Sequence, residues 1–126
     1  LQALQYGDTA GDAQGKLGYI ALKYHGDVTG ALRYYEQALA LRSDASTRVA
    51  YGVALRAAGR YEESEAAYKK ALVIDVAWAD AWYNLANLYR DTGHLRQAMD
   101  AYKRVVDLAV APLDKRAIEQ IQLLTP

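Results

Sequence analysis

The sequence predicts an all-α fold, an α-solenoid of stacked antiparallel helix hairpins. Apolar and small residues recur at the three- and four-residue spacing of one helix face in successive segments. Turns between these segments contain Gly26, Gly59 and Gly93, which recur at a nearly constant interval along the chain. A constant interval of this order, with two helices per unit, indicates repeats that pack on one another.

Composition and charge exclude several function classes. The chain has 126 residues, 52% of them hydrophobic, which suffices for one continuous core. Its 15 Lys and Arg balance its 15 Asp and Glu, so no overall field attracts nucleic acid. The absence of cysteine excludes disulfides and thiolate metal sites but leaves both cytoplasm and periplasm open. No apolar run reaches the roughly 20 residues that span a bilayer, so we expect no membrane insertion.

The first segment, residues 1–10, is predicted to be the remnant of a preceding helix and a loop. Apolar residues within 1–6 recur at helical spacing, and Gly7 stands where a glycine commonly follows a helix C-terminus. A loop over residues 7–15 then leads to the first full helix, residues 16–24. One face of this helix carries Leu17, Ile20, Ala21 and Tyr24.

Three hairpins are predicted, near residues 11–44, 45–78 and 79–112. The next three helices are predicted over residues 31–41, 47–57 and 62–74. Two further helices are predicted within residues 82–106, one on each side of a turn at 91–94. The ninth residue after each turn glycine is a tyrosine, Tyr35, Tyr68 or Tyr102, and the fifth is Ala or Ser. Because small residues let helices approach closely, we expect the tyrosines to fill the gaps that these residues leave against the next hairpin and so to set the pitch of the stack.

Residues 113–126 are predicted to be a C-terminal capping helix. A hairpin cannot bury its apolar face alone, so the exposed end of a stack needs a helix with a polar back. Pro112 suits the start of that helix. The inward-facing residues are predicted to be Leu113, Ile118, Ile121 and Leu124.

These repeated positions resemble the tetratricopeptide repeat family. Its pattern has an aromatic, a Leu-Gly pair and a Tyr in the first helix, a turn glycine, and Ala, an aromatic and Ala in the second. The third unit matches best, at Trp82, Leu85, Ala86, Tyr89, Gly93, Ala98 and Tyr102. The turn glycine of the first unit, Gly26, comes nine positions after Leu17, whereas that of the second unit, Gly59, comes eight positions after Tyr51. The register of the first helix is therefore open by one position. The resemblance implies three repeats and a capping helix in a right-handed superhelix.

The resemblance also implies where a partner binds. In tetratricopeptide arrays the first helix of each hairpin lines a concave face that contacts an extended peptide or a partner helix. The matching positions are Lys16, Lys23, Val49, Val53, Arg56, Tyr83, Asn84, Asn87 and Arg90. Asn84 and Asn87 are able to hydrogen-bond a peptide backbone, unless they are merely solvated helix positions. Lys23, Arg56 and Arg90 are expected to form a basic line along the groove.

The sequence contains no evident catalytic or metal-binding arrangement, and we expect no cofactor. Residues 11–16 (GDAQGK) lack the spacing, the Ser or Thr and the preceding strand of a phosphate loop. His25 and His94 border separate turns and have no second ligand at metal spacing. No Ser, Cys or Thr is paired with a His and an acid in a nucleophile pattern.

One tetratricopeptide subclass is excluded by its residues. Repeats that capture the acidic C-terminus of cytosolic chaperones share a clamp of Lys and Asn in the first copy, Asn in the second, and Lys and Arg in the third. Lys16 matches the first lysine, but Ala50 replaces the second-copy Asn, and Asp80 and Asn84 replace the third-copy Lys and Arg. The Asn-bearing helix looks more like the arrays of scaffolds and of sugar-transferase enzymes.

We therefore expect a non-catalytic protein–protein interaction module, a scaffold or adaptor that holds a protein or peptide partner in its groove. One alternative is a substrate-recruiting arm of a larger enzyme such as a glycosyltransferase. The other is a self-assembly module, in which exposed solenoid ends such as Leu1, Leu4 and Tyr6 pair with another copy to form a homo-oligomer.

Overall fold

A computed structural model describes residues 11–108 and 115–125 of the chain. These residues form seven α-helices and no strand, which confirms the predicted all-α class. The helices are α1 (Asp12–His25), α2 (Val28–Leu41), α3 (Ala45–Ala57), α4 (Tyr61–Ile74), α5 (Ala79–Asp91), α6 (Leu95–Leu108) and α7 (Lys115–Leu124). None of them is both long and apolar enough to cross a membrane.

The helices pack as hairpins in chain order. The pairs α1–α2, α3–α4 and α5–α6 make the most extensive contacts, and each pair then contacts the next through α2–α3, α4–α5 and α6–α7. The hairpin turns contain Gly26, Gly59 and Gly93 with φ of 60°, 77° and 83°, a left-handed conformation that glycine adopts without strain. The first helices also contact each other, α1 with α3 and α3 with α5, so they lie side by side on one face.

The predicted start of the first helix is wrong. The loop was predicted to extend to residue 15, but α1 already begins at Asp12, and Gly15 lies inside it. Gly11 is the N-cap residue with φ of 99°, and a Cβ there would lie 2.9 Å from the Ala38 carbonyl oxygen of α2. Gly11 lies close to the backbone of α2 at the point where α1 begins. Sequence periodicity does not reveal this contact.

The predicted remnant helix over residues 1–10 lies outside the described residues, as do Pro112 and Leu113. Within α7, Ile121 and Leu124 are partly buried and pack against the core formed by α3 to α6. This is the inward orientation that the sequence pattern predicts for these two residues.

Contacts between small residues and tyrosines set the distance between the two helices of a hairpin. Tyr35, Tyr68 and Tyr102 are 3%, 0% and 0% exposed. A Cβ at Gly18 would lie 2.9 Å from the Tyr35 ring, and one at Gly52 would lie 2.5 Å from the Tyr68 ring. The tyrosines are thus buried against small residues, but these contacts lie within one hairpin, whereas the prediction placed them against the next hairpin.

The same contacts resolve the register of the first helix. Because Gly18 and Gly52 both lie against the ring of the tyrosine in their own hairpin, they are structurally equivalent. The extra residue of the first unit therefore lies between Gly18 and Gly26, near the end of α1. The same interval, counted on from Gly52, reaches Ala86 in α5, the first helix of the third hairpin. Gly18, Gly52 and Ala86 are therefore equivalent, and so are residues at the same distance along the chain from each of them. We call this alignment of the three units the repeat register.

We predict that Gly52→Ala lowers the free energy of unfolding, whereas Gly15→Ala raises it. The added methyl at Gly52 meets the fully buried Tyr68 ring, and such overpacking costs about 1–3 kcal/mol. A Cβ at Gly15 meets nothing within 4 Å, so that variant only gains the helix preference of Ala, about 0.5–1 kcal/mol. Urea unfolding of both variants measures the difference. A stabilised Gly52→Ala would contradict this packing.

Candidate functional site

The face formed by the first helices contains an open cleft between α1 and α3. Its volume is about 430 Å³, and the beginning of α5 closes one end. It is lined by Tyr19, Leu22, Lys23, Tyr35, Ser46, Val49, Ala50, Val53, Trp78 and Asp80. A second cleft of about 450 Å³ continues along the same two helices and shares Tyr19, Tyr35, Ser46 and Ala50 with the first. We call these two adjoining clefts the α1–α3 cleft.

Apolar side chains form most of the lining of the α1–α3 cleft. Leu22 and Val53 are half-buried, and Tyr19 is 49% exposed. Val49 is buried at 8% exposure and belongs to the core as well as to the cleft. Trp78, the residue before α5, is half-buried at the closed end. An apolar lining with a few polar groups is typical of sites that bind a ligand.

Two lysines supply positive charge at the α1–α3 cleft. The Lys23 ammonium donates to the Tyr19 hydroxyl over 2.7 Å and lies 5.2 Å from the centre of that ring, a cation–π contact. Lys16 is exposed at the second cleft. The other cation there is Arg42, which forms ion pairs with Asp12 at 3.1 Å and Asp44 at 2.7 Å.

The predicted basic line is largely compensated by an acidic residue. The guanidinium of Arg56 in α3 forms an ion pair with Asp91 in α5. Arg90 also contacts Asp91, at 3.2 Å. Of the three predicted cations, Lys23 lies at the cleft, whereas Arg56 and Arg90 share one carboxylate, and the Arg56 pair ties α3 to α5.

A hydrogen-bond network occupies the candidate residues of α5. The hydroxyl of Tyr102 donates to Asn87 Oδ1 and accepts from Arg90 Nη1 at 3.3 Å. The same arginine nitrogen donates to Gln120 Oε1 of α7 at 2.8 Å. The structure thus brings Asn87 and Arg90 together around a tyrosine of α6 and a glutamine of α7.

The remaining two candidates of α5 also contact their own chain. Asn84 Nδ2 donates to the Asp80 carbonyl oxygen over 2.8 Å. The Tyr83 ring packs edge-on against the Tyr102 ring, with 6.0 Å between ring centroids. Polar groups of α5 are therefore engaged in contacts within the protein, whereas the α1–α3 cleft is open and mostly apolar.

Family comparisons identify the repeat. Profiles described as the tetratricopeptide repeat match residues 15–49 and 79–109, and a profile described as the TPR repeat matches residues 52–93. The chain belongs to the tetratricopeptide repeat family. A comparison with curated protein sequences found no significant match.

Solved tetratricopeptide structures have the same fold. The TPR domain of Arabidopsis OM64 is 19% identical over 91% of this chain and 93% of its own, with a TM-score of 0.81. The Yersinia enterocolitica type III secretion chaperone SycD, in complex with a peptide of the translocator YopD, is 16% identical over 90% of both chains, with a TM-score of 0.82. The second TPR domain of human RPAP3, in complex with an HSP70 peptide, is 19% identical over 90% of this chain and 97% of its own, with a TM-score of 0.75.

Equivalent tetratricopeptide positions explain why the repeats differ in polarity. In the repeat register, Leu22 of α1 corresponds to Arg56 of α3 and Arg90 of α5. Arg56 binds Asp91 of α5, and Arg90 binds Gln120 of α7. The first repeat has a leucine at this position, so it forms no such polar bridge there, and its side chain lines the cleft instead.

The sequence-based choice of site residues missed several cleft residues. Tyr19 corresponds to Val53 and Asn87, so the repeat register would have identified it once the position of the extra residue was known. Leu22 was identifiable in the same way from Arg56. Trp78 precedes its helix and has no counterpart on a helix face, so no periodicity signal marked it.

The described residues contain no group of three or more His, Asp or Glu side chains able to hold a metal ion. His94 Nδ1 lies 2.9 Å from the Thr92 hydroxyl, and the Tyr89 hydroxyl donates to Glu65 over 2.7 Å. These pairs lie where the second repeat meets the third, away from the α1–α3 cleft.

Burial of the tyrosines predicts a loss of stability at alkaline pH. Burial raises the pKa of Tyr102 to about 12, although the nearby Arg90 acts in the opposite direction. An unfolded tyrosine ionises near pH 10, so the unfolded chain releases this proton first. The contribution of Tyr102 to the free energy of unfolding is therefore complete below pH 10 and is lost between pH 10 and about 12.

Tyr102→Phe should make the free energy of unfolding fall less steeply between pH 10 and 12 than in the unsubstituted protein. Burial also raises the pKa of Tyr35 and Tyr68, so part of the dependence should remain. Urea unfolding across this range measures the slope, with Tyr24→Phe at a 67% exposed position as the control. Equal slopes for Tyr102→Phe and the unsubstituted protein would contradict the assignment.

Proposed function

We propose that this tetratricopeptide repeat domain is a non-catalytic protein-interaction module, a scaffold or adaptor that holds an extended peptide or a helix of a partner in the α1–α3 cleft. The observation that carries the proposal is the contrast along the concave face. An open apolar cleft lies between the first helices of repeats one and two, whereas the polar side chains of the third repeat bind one another.

The solved relatives support a peptide as the type of ligand. Two tetratricopeptide structures with the same fold contain a peptide, one from the translocator YopD and one from HSP70. Sequence identity to them is 16% and 19%, so the likeness supports the mode of binding and leaves the ligand's sequence open. The cleft of about 430 Å³ falls within the size of pockets that bind compact ligands or side chains.

The proposed contacts divide into two groups. An apolar side chain of the partner packs on Val49, Val53 and the neighbouring Leu22, and each Å² of apolar surface removed from water contributes about 25 cal/mol. Lys16 and Lys23 bind carboxylates or carbonyl groups beside that anchor. The cleft lining contains three cations, Lys16, Lys23 and Arg42, and three carboxylates, Asp12, Asp44 and Asp80. Because Arg42 is paired with Asp12 and Asp44, the charges offered to a partner are those of the two lysines and, at the α5 end, of Asp80.

The other predicted contact residues have a supporting role in this proposal. Asn87 and Arg90 would have to break existing hydrogen bonds before binding a partner, and each such bond contributes about 0.5–1.5 kcal/mol net. Arg56 likewise would have to leave Asp91. Tyr83 and Asn84 continue the groove beyond the cleft. We propose that Arg56, Tyr83, Asn87 and Arg90 hold α5 against its neighbours, and that these four residues and Asn84 flank a long ligand.

Selection of peptides from a random displayed library against the intact protein tests the proposal. Val53→Glu places a charge in the apolar cleft and should weaken binding of the selected peptides by about tenfold or more, since burying an unpaired charge is costly. Val73→Glu is the matched control, because Val73 lies on α4, outside the cleft, and is 86% exposed.

Thermal melts of both variants separate loss of binding from loss of folding. Val53 is half-buried at the surface of the cleft, so a folded Val53→Glu protein is expected. Peptides that bind Val53→Glu and the unsubstituted protein equally well would contradict the α1–α3 cleft as the binding site.

A further inference from the structure

Two charged side chains of opposite sign line the part of the α1–α3 cleft that has a volume of about 430 Å³. Lys23 lies in the last turn of α1, and Asp80 lies in the first turn of α5. Because α3 contacts both α1 and α5, it lies between these two charges, and it contributes the apolar side chains of Val49 and Val53. The cleft therefore presents a cation, an apolar surface and a carboxylate in that order.

The charges of Lys23 and Asp80 are not neutralised by ion pairs. Both residues are exposed, and neither forms an ion pair with any residue that the structure describes. In the adjoining part of the cleft, by contrast, Arg42 neutralises two carboxylates. The Lys23 ammonium has three donors, and one of them bonds the Tyr19 hydroxyl. A partner is therefore able to bind a carboxylate at one end of the cleft and a cation at the other.

The depth of the cleft favours an extended segment over a helix as the ligand. Its lining includes Tyr35 of α2, which is 3% exposed, so the cleft reaches between α1 and α3 down to the second helix. Packed neighbouring helices have axes about 8–10 Å apart. A helix with its side chains is about 10–12 Å across and does not enter such a space, whereas one side chain of an extended segment does.

We propose that the ligand of this cleft is an extended peptide segment in which an acidic residue and a basic residue flank an apolar one. This inference rests on the proposed function, since it specifies the ligand of the same cleft. The acidic residue binds Lys23, the apolar residue enters the cleft beside Val53, and the basic residue binds Asp80. Complementary charges across an interface mainly fix the register of the ligand and exclude wrong partners.

The spacing of the helices predicts the spacing of the two charges in the ligand. Two steps, from α1 to α3 and from α3 to α5, amount to about 16–20 Å between helix axes. An extended chain advances about 3.3 Å per residue, so the acidic and basic residues are about five or six positions apart. A helical ligand advances about 1.5 Å per residue and would need about eleven to thirteen positions for the same distance.

Selection of peptides from a random displayed library on the intact protein tests the order of charges. Separate selections use the unsubstituted protein, Asp80→Lys and Glu62→Lys. Glu62→Lys is the matched control, because Glu62 is an exposed first-turn carboxylate of α4 outside the cleft, so both variants change the net charge and the charge at a helix start equally. The unsubstituted and control proteins should select the acidic, apolar and basic residues at the predicted spacing. Asp80→Lys should select a second acidic residue in place of the basic one.

Calorimetric titration with one selected peptide measures each charge contact. Replacing the basic residue of the peptide by Glu should weaken its binding to the unsubstituted protein about tenfold, because like charges then face each other at Asp80, and Asp80→Lys should restore the binding. Lys23→Ala should weaken binding of the selected peptide about threefold, the size of one exposed ion pair. Lys70→Ala, at an exposed position of α4 outside the cleft, should leave binding unchanged.

Val53→Glu separates failure of this inference from failure of the proposed function. Peptides that no longer bind Val53→Glu, yet show no charge order or the same order on Asp80→Lys, would overturn the inference and leave the cleft as the binding site. Charges about eleven or more positions apart would overturn it in favour of a helical ligand. Peptides that bind Val53→Glu as well as the unsubstituted protein would overturn both.

Thermal melts establish that each variant is folded before it is used. If Asp80→Lys does not fold, Asp80→Ser takes its place, because Ser46 occupies the equivalent position of α3 in the repeat register. Peptides selected on Asp80→Ser should lose the preference for a basic residue and keep the acidic and apolar ones. An unchanged preference for the basic residue would contradict its contact with Asp80.

Discussion

The close packing of a tyrosine against a small residue of its own hairpin is the interaction on which the rest of the structure depends. Tyr35 and Tyr68 occupy space that a Cβ at Gly18 or Gly52 would fill, and Tyr102 is fully buried in the third hairpin. Because all three tyrosines are almost completely buried, the spacing of each hairpin has little freedom. This spacing places α1, α3 and α5 side by side and so determines that a concave face exists.

One equivalent position of the three first helices differs in polarity between the repeats. Arg56 and Arg90 reach α5 and α7 and form polar bridges, whereas Leu22 leaves the space between α1 and α3 open and apolar. The repeats share one backbone but differ in accessibility. The open, apolar space therefore lies between the first helices of repeats one and two.

The sequence was sufficient to predict the fold because its signals are local and repeated. Turn glycines, apolar stripes and tyrosines recur at a nearly constant interval, so each copy supports the interpretation of the others. The site was less predictable, because its character depends on contacts between distant residues. The Arg90 contact with Gln120 joins two different hairpins of the chain, and the Tyr102 hydroxyl reaches Asn87 from another helix. The start of α1 at Asp12 was also missed, since it depends on the approach of Gly11 to Ala38.

A partner that binds in the α1–α3 cleft, as proposed, leaves intact the hydrogen bonds that join Asn87 and Arg90 to Tyr102 and Gln120. Nuclear magnetic resonance titration of the isotope-labelled protein with a library-selected peptide shows which residues the peptide contacts. We expect large shifts of backbone amide signals at Tyr19, Lys23 and Val53, which line the cleft, and small shifts at Asn87 and Arg90. Large shifts confined to Asn87 and Arg90, with the α1 and α3 signals unchanged, would contradict binding in the α1–α3 cleft.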